Sequence, residues 1–354
     1  MRSFVDIERS LGGQPPRIGA LLARIDAGRG REELHADQVP ELLRSLAGQS
    51  RVESIDASSA IEGIVVDPAR RDRLADPTAA VRLRDQDERE FAGYRDALGG
   101  VLAATPPERM GVPLILAVHR DLFRHCEVPG GALKTADNRI VERDADGIAT
   151  VIFKPPPWTE AEMLLRELVD RYNEALDRDA AHPVILIGAF VLDFLAIHPL
   201  ADGNGRVSRI LTTQALLERG YGIARYVSVE QRILDTKDAY YEALRRSQSG
   251  WHDGAHTIWP WIAYLVQTLA DAYAAFEDRV AAERAGPHRL TKQERVRIHV
   301  LDHAPPAFTI AQLRTALPGI SDQTIRLVLA ELRAEGAVAP DGSGRSATWA
   351  RLGG

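Results

Sequence analysis

Through most of the first 285 positions apolar residues recur at three- and four-residue intervals, and Gly or Pro separates the periodic runs. "GALLARIDAGRG", "DQVPELLRSLAGQ", "DEREFAGYRDALGGVLAA" and "VPLILAVHRDLFRH" each present one apolar face, which predicts a succession of helices joined by short loops. "PVILIGAFVLDFLAIHPL", from Pro183, is apolar on every face but is interrupted by Asp193, so it reads as a buried helix and not as a membrane span. Between Leu133 and Phe153 the pattern changes. There "NRIVERDADGIATVIF" sets two β-prone runs around Asp146-Gly147, a dipeptide suited to a tight hairpin, and Pro155 to Pro157 end the second strand. An isolated two-stranded element has little stability of its own, so it is either a connector held by neighbouring helices or a flap.

After "AAERAGPHR" the spacing shortens. Thr291 and Glu294 form a capping box ahead of "KQERVRIHVLDHA", Thr309 starts "IAQLRTAL", and Ser321 caps "DQTIRLVLAELRAE", which stops at Gly336. "AVAP", a "DGSG" turn and "ATWARL" then suggest a hairpin. Three helices followed by a hairpin predict a C-terminal winged helix-turn-helix domain.

Charge narrows the function classes only a little. The 44 basic and 50 acidic residues leave a formal charge of -6, so bulk electrostatics points to neither nucleic acid nor membrane. Arg289 to Arg351 carries nine Lys or Arg against six acids, and Gln323 and Arg326 are a modest set for reading DNA. A winged helix also serves as a packing or dimerisation module, so DNA, a protein partner and a second copy of the chain all remain open for it. The single cysteine, Cys126, has no internal partner and suits a reducing compartment, while "MRSFVDIERSLGG" lacks the apolar run of a secretory signal. The expected location is the cytoplasm, without membrane association.

The chemistry gathers in "HPLADGNGRVSR", His198 to Arg209. Pro199 ends the apolar helix and leaves His198 at its exit, where a neutral imidazole can accept a proton from a hydroxyl; alone, it would read as a charge complementing the helix C-terminus. Asp202 follows in the loop. Gly203-Asn204-Gly205 allows successive N–H groups to converge on an anion, and a helix beginning at about Gly205 turns its positive end toward the same point. Arg206 and Arg209, three apart, share a helix face and are expected to reach that anion, with Val207, Ile210, Leu211 and Ala215 on the buried side. Two guanidinium groups, a nest and a carboxylate describe a polyphosphate with its Mg²⁺.

The run resembles the signature of Fic domains, His-Pro-Phe-x-(Asp/Glu)-Gly-Asn-Gly-Arg-x-x-Arg, and departs from it only at Leu200, where the family usually has Phe. The resemblance implies a mainly α fold with the hairpin as a flap, and transfer of AMP from ATP to a Ser, Thr or Tyr hydroxyl of a target protein. It implies His198 as the base, Asp202 as the Mg²⁺ ligand, Gly203, Asn204 and Gly205 as the phosphate cradle, and Arg206 and Arg209 on the outer phosphates. It assigns the flap, Asn138 to Phe153, to aligning the target segment by strand addition. "DTKDAYYEAL" is similar to the family's downstream helix with a tyrosine pair, which implies adenine contact by Tyr240 or Tyr241; core packing competes there. The expected organisation is an N-terminal helical region over 1–110, a Fic catalytic domain over 111–285 and the winged helix over 286–354.

Upstream, "SSAIEG" sets Ser58 and Glu62 one helical turn apart with Gly63 as the stop. On its own this is an ordinary helix end. Beside a Fic core it resembles the family's inhibitory motif, Ser/Thr-x-x-x-Glu-Gly/Asn, which implies that Glu62 pairs with Arg209 and denies that arginine to the γ-phosphate. The alternatives are another Fic-type transfer or removal of AMP, a DNA-binding regulator that senses nucleotide, and a metal-dependent hydrolase using His198 and Asp202. The last lacks a second histidine at a ligand spacing.

Overall fold

The computed structural model describes residues 2–5, 7–143, 149–285, 292–305, 307–317, 320–341 and 348–352. The fold is mainly α, and the chain divides into two compact units, Met1–Val280 and Ala281–Gly354.

In the first unit α1 (Arg2–Val5) and α2 (Ile7–Leu11) precede two long helices, α3 (Pro16–Gln38) and α4 (Pro40–Ile61). Next come α5 (Pro68–Ala75), α6 (Gln86–Ala103) and α7 (Val112–Leu122), then strands β1 (Ile140–Arg143) and β2 (Ala149–Phe153). The helices α8 (Trp158–Asp177), α9 (Pro183–Ile197), α10 (Asn204–Glu218), α11 (Val229–Asp235), α12 (Lys237–Gln248) and α13 (Trp259–Ala285) follow. Local chemistry sets many of these starts. Proline stands in the first turn of α3, α4, α5 and α9, where its missing N–H removes no hydrogen bond, and the side chains of Asp67, Asp85 and Ser228 accept first-turn N–H groups of α5, α6 and α11.

The centre of this unit is α9, buried from Val184 to Ile197. A helix apolar on every face must be enclosed, and α8, α10, α1 and α12 pack around it. Asp193, its one charged residue, is itself fully buried and well partnered. Its carboxylate accepts from the Ser3 N–H (2.9 Å), the Ser3 hydroxyl (2.8 Å) and the Trp251 indole N–H (2.7 Å), so the interruption in the apolar run fastens the N-terminal segment and the 251 turn to the core. Asp193→Ala removes the acceptor of the Ser3 N–H and the Trp251 indole N–H, leaves the Ser3 hydroxyl, among the described residues, only His256 Nε2 at 3.0 Å, and is expected to lower unfolding free energy by about 2–4 kcal/mol in urea titration.

β1 and β2 pair antiparallel, with Val141 opposite Val151 and an irregularity beside Ile140. The expected turn at Asp146-Gly147 lies outside the described residues. Phe153 anchors the base of the hairpin by stacking on His252 (5.2 Å between centroids) and meeting Trp251 edge-on, while Val141, Val151 and Ile152 are exposed.

The second unit contains α14 (Lys292–Ile298), β3 (Ala307–Thr309), α15 (Ile310–Ala316), α16 (Asp322–Ala334), β4 (Val338–Asp341) and β5 (Thr348–Arg351). Its strands form an antiparallel sheet in the order β3-β5-β4. Val296, Val300, Phe308, Leu313, Ile325 and Leu329 belong to its separate core. Thr309 and Gln312 make a capping box on α15, and Ser321 caps α16. The expected cap at Thr291 and most of the "DGSG" turn lie outside the described residues. Among the described residues no helix is long and apolar enough to cross a membrane.

Candidate active site

α9 ends at His198, whose backbone is left-handed (φ 49°, ψ 58°), an uncommon state for a residue other than glycine. Several groups hold it there. The His198 N–H donates to Phe194 O (2.9 Å), the Lys134 N–H to Pro199 O (2.9 Å), and Asn138 Nδ2 to Leu200 O (3.0 Å) and His198 O (3.3 Å). The buried Lys134 ammonium donates to Asn138 Oδ1 and Pro156 O at 3.0 Å and to Ile197 O at 3.3 Å. Asn204 closes the loop from the other side: Oδ1 accepts the Leu200 N–H (3.0 Å) and Nδ2 donates to Leu200 O (2.9 Å). A strained backbone persists when its surroundings over-determine it, and here they do.

The His198 ring is fixed by the same exit. Nδ1 lies 3.2 Å from Leu195 O. A carbonyl only accepts, so Nδ1 carries the proton and Nε2 keeps its lone pair. Burial pushes the imidazole down to about 4, with Lys134 adding to that and Leu195 O opposing it. The ring is therefore neutral at pH 7 and tautomerically suited to accept a proton at Nε2.

α10 begins at Asn204, one residue earlier than the sequence pattern suggests, because Gly203 takes the left-handed N-cap conformation (φ 76°). A β-carbon at Gly203 would also meet Phe123 Cε2 at 2.8 Å. Among the described residues no side chain caps this helix, so its first-turn N–H groups lack the acceptor that capping supplies. Asp202 Oδ1 accepts the Gly203 N–H at 2.6 Å, and its side chain is 74% exposed.

Spacing puts both arginines on one helix face that is expected to reach an anion, yet α10 is enclosed on almost all sides and both are buried. The pairing of Arg209 with Glu62 that the resemblance implies is present. Each is compensated by a residue far away in the chain. Arg206 pairs with Glu90 and lies 3.4 Å from Asp202 Oδ2, with its guanidinium 5.2 Å from the Phe123 ring centroid and its Nε buried without a partner. Arg209 donates through Nε to Ser58 Oγ (2.9 Å) and through Nη2 to Ser58 O (3.2 Å) and Glu62 Oε1 (2.8 Å). Burial works against a charged Glu62, but the Arg209 guanidinium outweighs it and holds the carboxyl below its ordinary range. Glu62 stands just past α4, whose end is fastened by Lys237 Nζ donating to Ile61 O (2.8 Å). Gly205 makes this approach feasible, because a β-carbon there would lie 2.6 Å from Glu62 Oε1.

Tyr240 is buried and meets Tyr241, Trp261 and Tyr264 edge-on, whereas Tyr241 is 40% exposed. Sequence reasoning missed Glu90, Lys134 and Asn138. Nothing in "DEREFAGYRDALGG" marks Glu90 among its acidic neighbours, and Lys134 and Asn138 matter only because the chain returns beside the 198–200 loop.

A Fic/DOC family model matches residues 111–216. A Fido domain-containing protein of Dictyostelium discoideum is 33% identical over 98 residues, which cover 27% of this chain and 67% of that protein. The chain belongs to the Fic/DOC family. A probable protein adenylyltransferase of Aquifex aeolicus is 30% identical to this Fic protein over 146 residues, 41% of the chain and 39% of the relative. The crystal structure of a Fic family protein from Desulfovibrio desulfuricans shares the fold over 96% of this chain and 97% of that one, with a TM-score of 0.65 at 21% identity. The chain spans less than half the length of the curated adenylyltransferases it matches. The family match runs from the start of α7 into the last turn of α10 and so contains His198 to Arg209, while Ser58, Glu62, Tyr240 and Tyr241 fall outside it.

Proposed function

We propose that this Fic protein is a protein adenylyltransferase that transfers AMP from ATP to a Ser, Thr or Tyr hydroxyl and is restrained by Glu62. The observation that carries the reading is the pairing, on one short loop, of a neutral imidazole with free Nε2 and an uncapped helix start beside two buried arginines. Gly203, Asn204 and Gly205 would cradle phosphate oxygens with backbone N–H groups, and Arg206 and Arg209 would neutralise the outer phosphates. The unpartnered Arg206 Nε is a donor suited to such an anion. Asp202 is an exposed hard oxygen donor at the same helix start, which fits Mg²⁺, an ion that takes one or two carboxylates and completes its shell with phosphate and water. When bound, Mg²⁺ would offset phosphate charge.

In the transfer step the target hydroxyl oxygen attacks the α-phosphorus, the bond from that phosphorus to the β-bridging oxygen breaks, and pyrophosphate leaves. His198 Nε2 takes the hydroxyl proton. Catalysis here is mainly positioning and charge neutralisation, and the web of hydrogen bonds from Lys134, Asn138 and Asn204 would supply the positioning. β1 and β2 form a two-stranded sheet, so each has an edge to offer a target segment for strand addition. Tyr241, the exposed member of the pair, is the better placed for adenine. The three helices and antiparallel sheet of the second unit suit a winged helix, with Gln323 and Arg326 exposed on α16 for a DNA or protein contact.

Intact-mass analysis after incubation with ATP and Mg²⁺ tests the reaction itself. The expected result is addition of AMP to this protein or a target; addition of phosphate, or of UMP from UTP instead, would replace the adenylyl reading with another Fic-type transfer.

A further inference from the structure

A cavity of about 520 Å³, within the roughly 300–1,000 Å³ typical of small-ligand sites, opens on the N-terminal half of α4, the helix that ends at Glu62. Pro40, Leu43, Arg44, Ala47, Gly48 and Arg51 of α4 line it, facing Leu102, Arg225 and Tyr226. The catalytic loop contributes nothing to this lining. Three guanidinium groups share the cavity, no carboxylate lines it, and the chain as a whole is acidic.

These arginines are poorly compensated. Among the described residues none of the three forms an ion pair, although Asp76 feels the field of Arg51 and Glu32 that of Arg225. Burial pushes Glu32 up to about 7, so it does not fully offset Arg225 at neutral pH. Arg44 has only a long contact from Nε to Pro40 O (3.4 Å). Arg225 donates Nη1 to Leu102 O (2.5 Å). Most pointedly, Arg51 Nε is buried without any hydrogen-bond partner. Guanidinium groups lining one cavity without a carboxylate match phosphate oxygens. Leu43, Leu102, Pro40 and the Tyr226 ring supply apolar walls for the rest of a ligand.

We propose that this cavity is a second ligand site, taking a small phosphorylated molecule with an apolar or aromatic part, of nucleotide size. Its phosphates bridge Arg44 and Arg51 of α4 to Arg225, so an occupant joins α4 to the turn that carries Tyr226. The proposal does not depend on the transferase reading, since neither its residues nor its test involves transfer.

Hydrogen-exchange mass spectrometry of the full chain tests it, because peptides report the two regions separately. With ADP as probe, amides in 40–51 and 222–226 are expected to slow, independently of any change in 203–209; adenosine, lacking phosphate, should leave 40–51 unchanged. Arg44→Gln/Arg51→Gln should raise the ADP concentration that half-protects 40–51 about tenfold or more, with 203–209 responding as in the parent. The single Arg44→Gln variant, altered only at an exposed side chain, should shift the same titration in the same direction if the double variant does not fold. Absence of ADP protection in 40–51, equal protection by adenosine, or an Arg44→Gln titration identical to the parent's would each overturn the proposal.

Discussion

Glu62→Gly is expected to raise self-labelling from labelled ATP by about ten- to a hundredfold, the scale of coupling free energies of roughly 1–3 kcal/mol. Arg209 is almost entirely buried and its charge is met by one carboxylate, at 2.8 Å. While that bond stands, the guanidinium has no reason to turn toward a phosphate. Among the described residues, removing Glu62 leaves the guanidinium its hydrogen bonds to Ser58 Oγ and O, with the buried Glu230 as a remaining nearby carboxyl. An uncompensated buried charge is strongly unfavourable, so an incoming anion gains the interaction that the carboxylate gives up. Glu62 lies beyond the last helical residue of α4 and its side chain is one-third exposed, so glycine there removes the charge without opening the core. The measurement is incorporation of label per molecule, with the mass of the adduct as a check. Unchanged labelling would sink the inhibitory assignment while leaving the transfer reaction intact.

His198→Ala in the Glu62→Gly background is expected to reduce labelling by at least about a hundredfold, as loss of a positioned general base does. ATP binding should persist, since the proposed phosphate donors lie on α10 and not on the ring. Retained transfer would refute His198 as the base. The pH dependence provides a second reading. Burial holds the imidazole at about 4, so the base stays deprotonated well below the ordinary imidazole range. The sign is fixed: a lowered value means that acidifying from pH 8 to 6 protonates little of it, and kcat/KM should not fall through an ordinary histidine titration near 6.5. Glu62 and Asp202 both push the imidazole upward, so removing Glu62 does not move its titration higher. A clear acid limb at 6 to 7 in kcat/KM would mean that the ring titrates in the free enzyme as an ordinary histidine, against its burial.

Helix content, the buried character of α9, the caps at Ser321 and Thr309 and the exit at His198 were all legible in the sequence. Each depends on neighbours within a few residues: apolar spacing, a hydroxyl ahead of a helix, a proline that forbids continuation. The loop chemistry was legible for the same reason, because Gly203 to Gly205 and the start of α10 are adjacent in the chain. The burial of Arg206 and Arg209 was not. Spacing places both on one helix face but says nothing of what covers that face, and covering depends on α6 packing on α10 and on the end of α4 reaching Arg209. The role of Asp193 was equally hidden, since Ser3 and Trp251, its donors, lie 190 and 58 positions away. The tyrosine pair needed packing to divide it into a buried Tyr240 and an exposed Tyr241.

By itself, then, the sequence determined which groups are available at residues 198 to 209, because local backbone rules place an imidazole, a carboxylate and a glycine turn there whatever surrounds them. Only the tertiary structure decided how deeply those groups are buried and that Glu90 engages Arg206, whereas the pairing of Arg209 with Glu62 was already implied by the resemblance of "SSAIEG" to an inhibitory motif. Glu62 reaches Arg209 across 147 positions because α4 ends against the start of α10, and the close approach at Gly205 has no room for a side chain.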